Sequence, residues 1–325
     1  MGTAFASSMV ALPNIPSKFW DNVNIEHPTT AIFIDKNETQ DGGLNFSPAR
    51  MATVDTGGGY YAGTSTSAVT TAAQGNDILN ETYPWVYVAN AITMLKSDMV
   101  VLGQSPLVKI TAIESKKYSA KMYHMQLIAT GFMTGDGTSN TPQGLRDLVT
   151  PTTTYGGVVP ATDTDWVPQT TTSATVLSGP SIIETMLNQC TWMGESPNLA
   201  PTTRALFSRC SAIFGAGLTY MQPDAGNGNG KATYGLNDLQ IRGGKSSKNL
   251  KIYWDDDMPA SNLWLIDEKN TTLKKSSVEF MKVLMPAEVN SGLNQYALQN
   301  GGVFSAFITG AMLRRTTGGW TSLSA

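Results

Sequence analysis

The longest unbroken pattern in the chain runs from Ser105 to Met133, where apolar residues such as Ile110, Ile113, Leu127 and Ile128 alternate with polar ones. Past Pro106 it contains no proline, and its one glycine, Gly131, stands at the far end. Ser105-Pro106 is a good helix start, offering a hydroxyl to the orphan amides and a proline where no amide bond is needed. The pattern predicts one helix about 40 Å long at 1.5 Å per residue. Ile110, Ile113, Leu127 and Ile128 are its expected core positions.

Shorter patterns follow. Gly179–Met193 reads as an amphipathic helix, with Ile182, Met186, Leu187 and Cys190 at helical spacing, Ser181 as its cap and Gly194 as its stop. Thr202–Gly215 reads as another helix. Strand-like runs occur at Trp85–Val88, Asp238–Gly244, Leu250–Pro259, Asn262–Asp267 and Gly302–Arg315. Residues 1–43 mix Pro, Asn and Thr with short apolar groups and predict an extended arm. Residues 44–84 are too poor in apolar residues for a core of their own, so they must lean on something else.

Composition changes this picture in one respect. Charged residues make up 14% of the 325, with a net charge of -3, against about 25% in ordinary globular domains. A surface short of charge suits a subunit covered by neighbours, because interface centres are depleted of charge. The balance also argues against a protein that grips nucleic acid, which needs clustered Lys and Arg. No run of eighteen apolar residues occurs, so no membrane span is expected. Cys190 and Cys210 form neither a disulfide framework nor a zinc pattern and are expected to be reduced.

Three cues in chain order carry a family resemblance. The long helix closes in Gly131–Leu145, with Gly135, Asp136 and Gly137 followed by Pro142, Gly144 and Leu145 as a sharp exit turn. Next come Asp238–Gly244, Leu250–Pro259 and Asn262–Asp267: a strand, a Gly turn, a strand ending in acidic residues and a third strand. Last is Gly302–Arg315 with its paired arginines. Over residues 85–317 this order resembles the major capsid proteins of tailed bacteriophages of the Hong Kong 97 type.

The resemblance implies an α+β fold. Its parts would be an N-terminal arm (1–43), an extended β-hairpin loop (44–86), a peripheral domain with a spine helix at 105–133 (87–148 and 278–325) and an α/β axial domain (149–277). Arg50, Asp55, Gly57, Gly58, Gly59, Tyr60, Tyr61, Asp77 and Glu81 would be inter-subunit contacts of the loop. The implied function is self-assembly into an icosahedral or prolate shell enclosing double-stranded DNA without specific binding, as a virion protein assembled in the host bacterial cytoplasm. Partners would be copies of the chain in hexamers and pentamers, a separate scaffolding protein, a portal and a decoration protein. Some relatives lock the shell by an isopeptide bond from a loop lysine, which residues 44–84 cannot supply because they contain none. A long scaffolding segment ahead of the arm is not expected. A secreted β-rich module that binds carbohydrate or a surface is the alternative, prompted by the Thr, Gly and Trp content and opposed by the long helix.

Catalytic patterns fail. Ala225–Ala232 places alanine at both key positions of a phosphate loop. Asp255, Asp256 and Asp257 lack the alternating ligands and glycine of a calcium loop. His27 and His124 are the only histidines and belong to no metal-binding array, so His124 is expected to pack or hydrogen-bond within the helix. The expectation is no enzyme, no cofactor and no metal.

Overall fold

The computed structural model describes residues 27–40, 42–51, 78–95, 106–138, 140–161, 163, 166–192, 194–215, 239–242, 249–287 and 298–324. In chain order these form α1 (Pro28–Asp35), β1 (Asn45–Phe46), β2 (Ala49–Met51), β3 (Ile78–Asn80), β4 (Tyr83–Pro84), β5 (Val86–Leu95), α2 (Pro106–Thr134) and α3 (Leu145–Val149). There follow β6 (Gln169–Thr171), β7 (Thr175–Val176), α4 (Pro180–Cys190), β8 (Leu199–Thr202), α5 (Arg204–Gly215), β9 (Leu239–Arg242) and β10 (Asn249–Trp254). The chain ends with β11 (Leu263–Leu265), β12 (Thr271–Lys275), β13 (Lys282–Ala287), β14 (Leu298–Ala311), β15 (Gly318–Trp320) and β16 (Leu323–Ser324).

The described residues divide into two compact units. The first draws on 1–42, 86–131 and 274–307. Here β14 is the central strand, antiparallel to β5 along Val86–Phe307 through Leu95–Leu298 and to β13 on its other edge. The helix α2 packs on this sheet through Ala120, against Ile92 and Val303, with Met281 and Val283 alongside. Polar contacts fix the packing: Asn90 donates to the carbonyl of Ala120 at 3.0 Å, and His124 Nε2 lies 2.8 Å from Ser305 Oγ. Ser305 Oγ also accepts the Met281 N–H at 2.9 Å, in a turn where Met281 has φ +52°.

The second unit draws on 43–85, 132–273 and 308–325. Its centre is a six-stranded sheet in the order β6-β15-β11-β8-β10-β9. Beside it, α4 and α5 contribute Ile183, Met186, Cys190, Leu206, Phe207 and Cys210 to a core shared with Leu250, Ile252, Leu263, Leu265 and Trp320. Both cysteines are free and buried.

Three sequence expectations need correction. Residues 28–35, placed in an extended arm, form α1: Pro28 occupies the first turn, where its missing N–H costs nothing, and Phe33 is fully buried. Asn37 at φ +54° ends it, as a left-handed residue does after a helix. In α4 the cap is Gly179, not Ser181, because Pro180 takes the first helical position and leaves Ser181 inside the helix. Ser181 instead accepts the Thr185 hydroxyl at its carbonyl, 2.7 Å away. Finally, the end of the chain does not stay with the helix-bearing sheet. Gly318–Trp320 runs between Leu263–Leu265 and Gln169–Thr171 in the six-stranded sheet, and Leu323–Ser324 pairs with β7.

Candidate functional site

The exit from α2 is built by its own side chains. After Thr134 the chain reverses, with Gly144 N–H bonded to the Gly135 carbonyl at 3.0 Å and Gly137 N–H to the Pro142 carbonyl at 3.1 Å. Asp136 Oδ1 accepts from the Thr138 amide (3.0 Å), the Thr138 hydroxyl (2.7 Å) and the Thr141 hydroxyl (2.9 Å). These bonds, the Thr138 hydroxyl foremost, hold the Asp136 carboxyl down to about 2. Gly137 sits at φ +70°, and a Cβ there would come within 2.7 Å of Gln143 Cγ, so only glycine fits. Gly144 then caps α3, and Leu145 is buried as its first residue.

Gln143 ties this turn to the rest of the second unit. Its Nε2 donates to the Thr154 carbonyl at 3.1 Å, and its Oε1 accepts the Gly156 amide at 3.0 Å. Its main-chain carbonyl accepts the Thr309 hydroxyl at 2.7 Å. Gly156, at φ +60°, lies under the Tyr83 ring, where a Cβ would meet Tyr83 Oη at 2.7 Å. Tyr83 donates to the Ala311 carbonyl at 2.8 Å and stands 5.5 Å from the Tyr155 ring. Thus the end of the β1–β4 and β2–β3 ribbon is sewn to residues 155–156 and 310–311.

Arg314 closes the cluster. Its guanidinium is fully buried and donates to the carbonyls of Leu148 (2.7 Å), Asp147 (2.7 Å) and Thr153 (2.8 Å), and also to that of Thr150. Asp147 and Leu148 lie at the C-terminal end of α3, where carbonyls have no helical partner and favour a cation. The guanidinium also sits 5.4 Å over the Tyr155 ring. Burial lowers its pKa to about 10, so it keeps its charge at neutral pH. The same burial pushes the Tyr83 and Tyr155 hydroxyls up, beyond titration under ordinary conditions.

The expected site residues are distributed as follows. Gly135, Asp136, Gly137, Pro142, Gly144 and Leu145 come together in one turn. Ile128 is fully buried and Leu127 half-buried. Ile110 and Ile113 lie in α2 by backbone and Arg50 in β2, and their side chains are outside the described set. Asp55, Gly57, Gly58, Gly59, Tyr60, Tyr61 and Asp77 fall outside the described residues. Glu81 is corrected: it is fully buried in its own chain, with its amide on the Pro48 carbonyl at 3.3 Å, so its carboxylate is not offered to a neighbour. Sequence reasoning missed Gln143, Tyr83, Tyr155 and the clamp made by Arg314. Their common signal is weak, since the partners are main-chain atoms as much as 167 residues away.

Chemistry remains sparse at the other positions considered. Asp255 is buried and accepts the Asp257 amide at 2.9 Å, a turn within the acidic run. Among the described residues no cluster of His, Cys, Asp and Glu could hold a metal ion, and no helix is long and apolar enough to cross a membrane.

No family model and no curated protein sequence matches the chain. Solved structures do. The capsid asymmetric unit of cyanophage A-1(L) is similar over 97% of this chain and 98% of that one, with a TM-score of 0.63 and 14% identity. The capsid of the native GTA particle is similar over 98% of each chain, with a TM-score of 0.55 and 12% identity. The capsid of cyanophage P-SCSP1u is similar over 97% of this chain and 93% of that one, with a TM-score of 0.54 and 8% identity. At such identities the likeness is one of backbone architecture, and the chain has the mixed helix-and-sheet fold of these capsid structures.

Proposed function

We propose that this chain is the major capsid protein of a tailed phage or close relative, and that its activity is self-assembly into the shell around double-stranded DNA. The observation that carries the reading is likeness to a capsid subunit over nearly the whole of both chains. Low charge supports it, since each face of a shell subunit meets a neighbour. In this reading the first unit is the peripheral domain with α2 as the spine helix of a Hong Kong 97-type fold. The second carries the axial domain, and residues 44–86 form the extended loop. Many modest symmetric contacts then sum to a closed shell in the virion. Assembly in the bacterial cytoplasm from hexamers and pentamers, with a separate scaffolding protein, portal and decoration protein, belongs to the same proposal, as does the absence of catalysis.

Negative-stain microscopy of the purified chain tests it. Shells, tubes or capsomers are expected, and monodisperse single subunits at all concentrations would overturn the reading.

A further inference from the structure

Every sheet edge in the described residues is short or guarded except one. The edge strand β6 has three residues, and β9 has four and ends in Arg242. The outer edge of β13 carries Lys282, Pro286 and a register shift between Leu284 and Ala287, the devices by which proteins blunt exposed edges. The outer edge of β12 is covered by residues 38–40: Lys275 N–H bonds the Glu38 carbonyl at 2.9 Å, and Gln40 N–H bonds the Lys275 carbonyl at 3.1 Å.

The exception is β5. It is ten residues long, Val86-Tyr-Val-Ala-Asn-Ala-Ile-Thr-Met-Leu95, without a charge, proline or glycine. One edge pairs with β14 in unbroken register, and no described strand pairs with the other. In an antiparallel ladder alternate residues bond to either side, so about five residues of β5 present amide and carbonyl outward. Beside them on the sheet face, Tyr87 is 61% exposed and stacks on Phe304 at 6.0 Å, with Ala89 and Ala91 exposed in line.

We propose that the free edge of β5 accepts an extended strand from a second copy of this chain. The proposal rests on the capsid reading above. An uncharged edge of this length needs a cover on every subunit, and in a shell of one repeated chain the neighbouring copy is the partner present at equal number beside each. The contact joins β5 to a different segment of the neighbour, and such a heterologous contact closes into rings and shells. Small side chains at Ala89 and Ala91 let an incoming backbone approach while Tyr87 and Phe304 supply the apolar floor.

Amide hydrogen exchange of residues 86–95, compared between dissociated subunits and assembled particles, tests this. Expected is exchange at least tenfold slower on assembly, confined to alternate positions of β5. Particles with unchanged β5 exchange, or β5 already protected throughout in the monomer by its own chain, would overturn it while leaving the capsid reading intact. If no particles form, the capsid reading falls, and the edge proposal falls with it unless β5 exchange slows as subunit concentration rises. An Ala89→Lys, Ala91→Lys double variant gives a second readout: native circular dichroism with at least tenfold fewer particles is expected, and wild-type particle yield counts against the edge.

Discussion

Arg314 donates its Nε–H to the Leu148 carbonyl at 2.7 Å across 166 positions of sequence, fixing the last turn of α3 to the segment that follows β14. Four main-chain carbonyls depend on this one fully buried side chain. Lysine would keep the charge but not the planar fork, and methionine would leave all four acceptors dry. Breaking a buried charged hydrogen-bond set costs about 3–5 kcal/mol. Arg314→Lys and Arg314→Met are therefore both expected to lower the urea midpoint sharply or abolish soluble expression. A midpoint within error of wild type for Arg314→Lys would show that the fork geometry is dispensable.

Gly318 offers a sharper steric test. A Cβ there would lie 2.1 Å from the Gln169 carbonyl oxygen and 2.6 Å from Cys190 Sγ. The first is main chain, paired with Gly318 in the β15–β6 ladder, so the strands must part. Overpacking of this kind costs about 1–3 kcal/mol. Burial pushes the Cys190 thiol up to about 12 and Cys210 up to about 11, so neither should react with an aromatic disulfide reagent at pH 8 in the native protein. Gly318→Ala is expected to lower the unfolding midpoint and to speed labelling of Cys190. Equal labelling rates in variant and wild type would argue that the ladder tolerates the methyl group.

What could be read in advance divides along physical lines. The helix at 106–134 was legible because 29 residues without a breaker leave few alternatives, and its exit turn because Gly135, Asp136, Gly137 and Pro142 each demand special backbone. The α1 helix was not, because Ala31–Ile34 is too short an apolar group to distinguish helix from arm. The place of Gly318–Trp320 was hidden for another reason: Gly-Gly-Trp has no strand signature, and its pairing depends on Gln169 and Leu263 far away. Arg314 was visible as one of a pair of arginines, but nothing in a local sequence says that a guanidinium will find carbonyls at 147–153. Loop contacts at Tyr60 and Tyr61 remain a proposal.

His124 predicts a pH dependence. Its Nε2 lies against Ser305 Oγ, which already accepts the Met281 amide, while Nδ1 is buried with no partner among the described residues. Burial lowers its pKa from 6.5. The unfolded chain takes up a proton as pH falls through 6.5, while the folded subunit does so only at lower pH. The contribution of neutral His124 is therefore fully present above pH 6.5 and is lost as pH falls toward the folded value. His124→Gln keeps a hydrogen-bonding group without the titration, so its unfolding free energy should fall less than that of wild type between pH 7.5 and 5. Parallel pH curves for the two proteins would show that His124 does not titrate in this window.

The final prediction concerns locking of the shell and rests on the capsid reading. No lysine lies between Lys36 and Lys96, so the segment 44–84 has no amine for a covalent bond to a neighbour. Arg50 is no substitute, because its guanidinium stays protonated and is a poor nucleophile. Glu81, buried in its own chain, is removed from the groups that could meet a neighbour there. Non-covalent contact then falls to Tyr60 and Tyr61, whose rings bury much area for little lost side-chain freedom, with Asp55 and Asp77 seeking cationic partners. Particles boiled in detergent and reductant are expected to give one band near 34.8 kDa. A ladder of multimers that survives this treatment would mean that a lysine outside the loop forms the bond. Replacing Tyr60 and Tyr61 together by serine should leave the subunit's unfolding midpoint unchanged and make assembled particles fall apart at lower urea. Equal particle stability would assign the locking to other contacts.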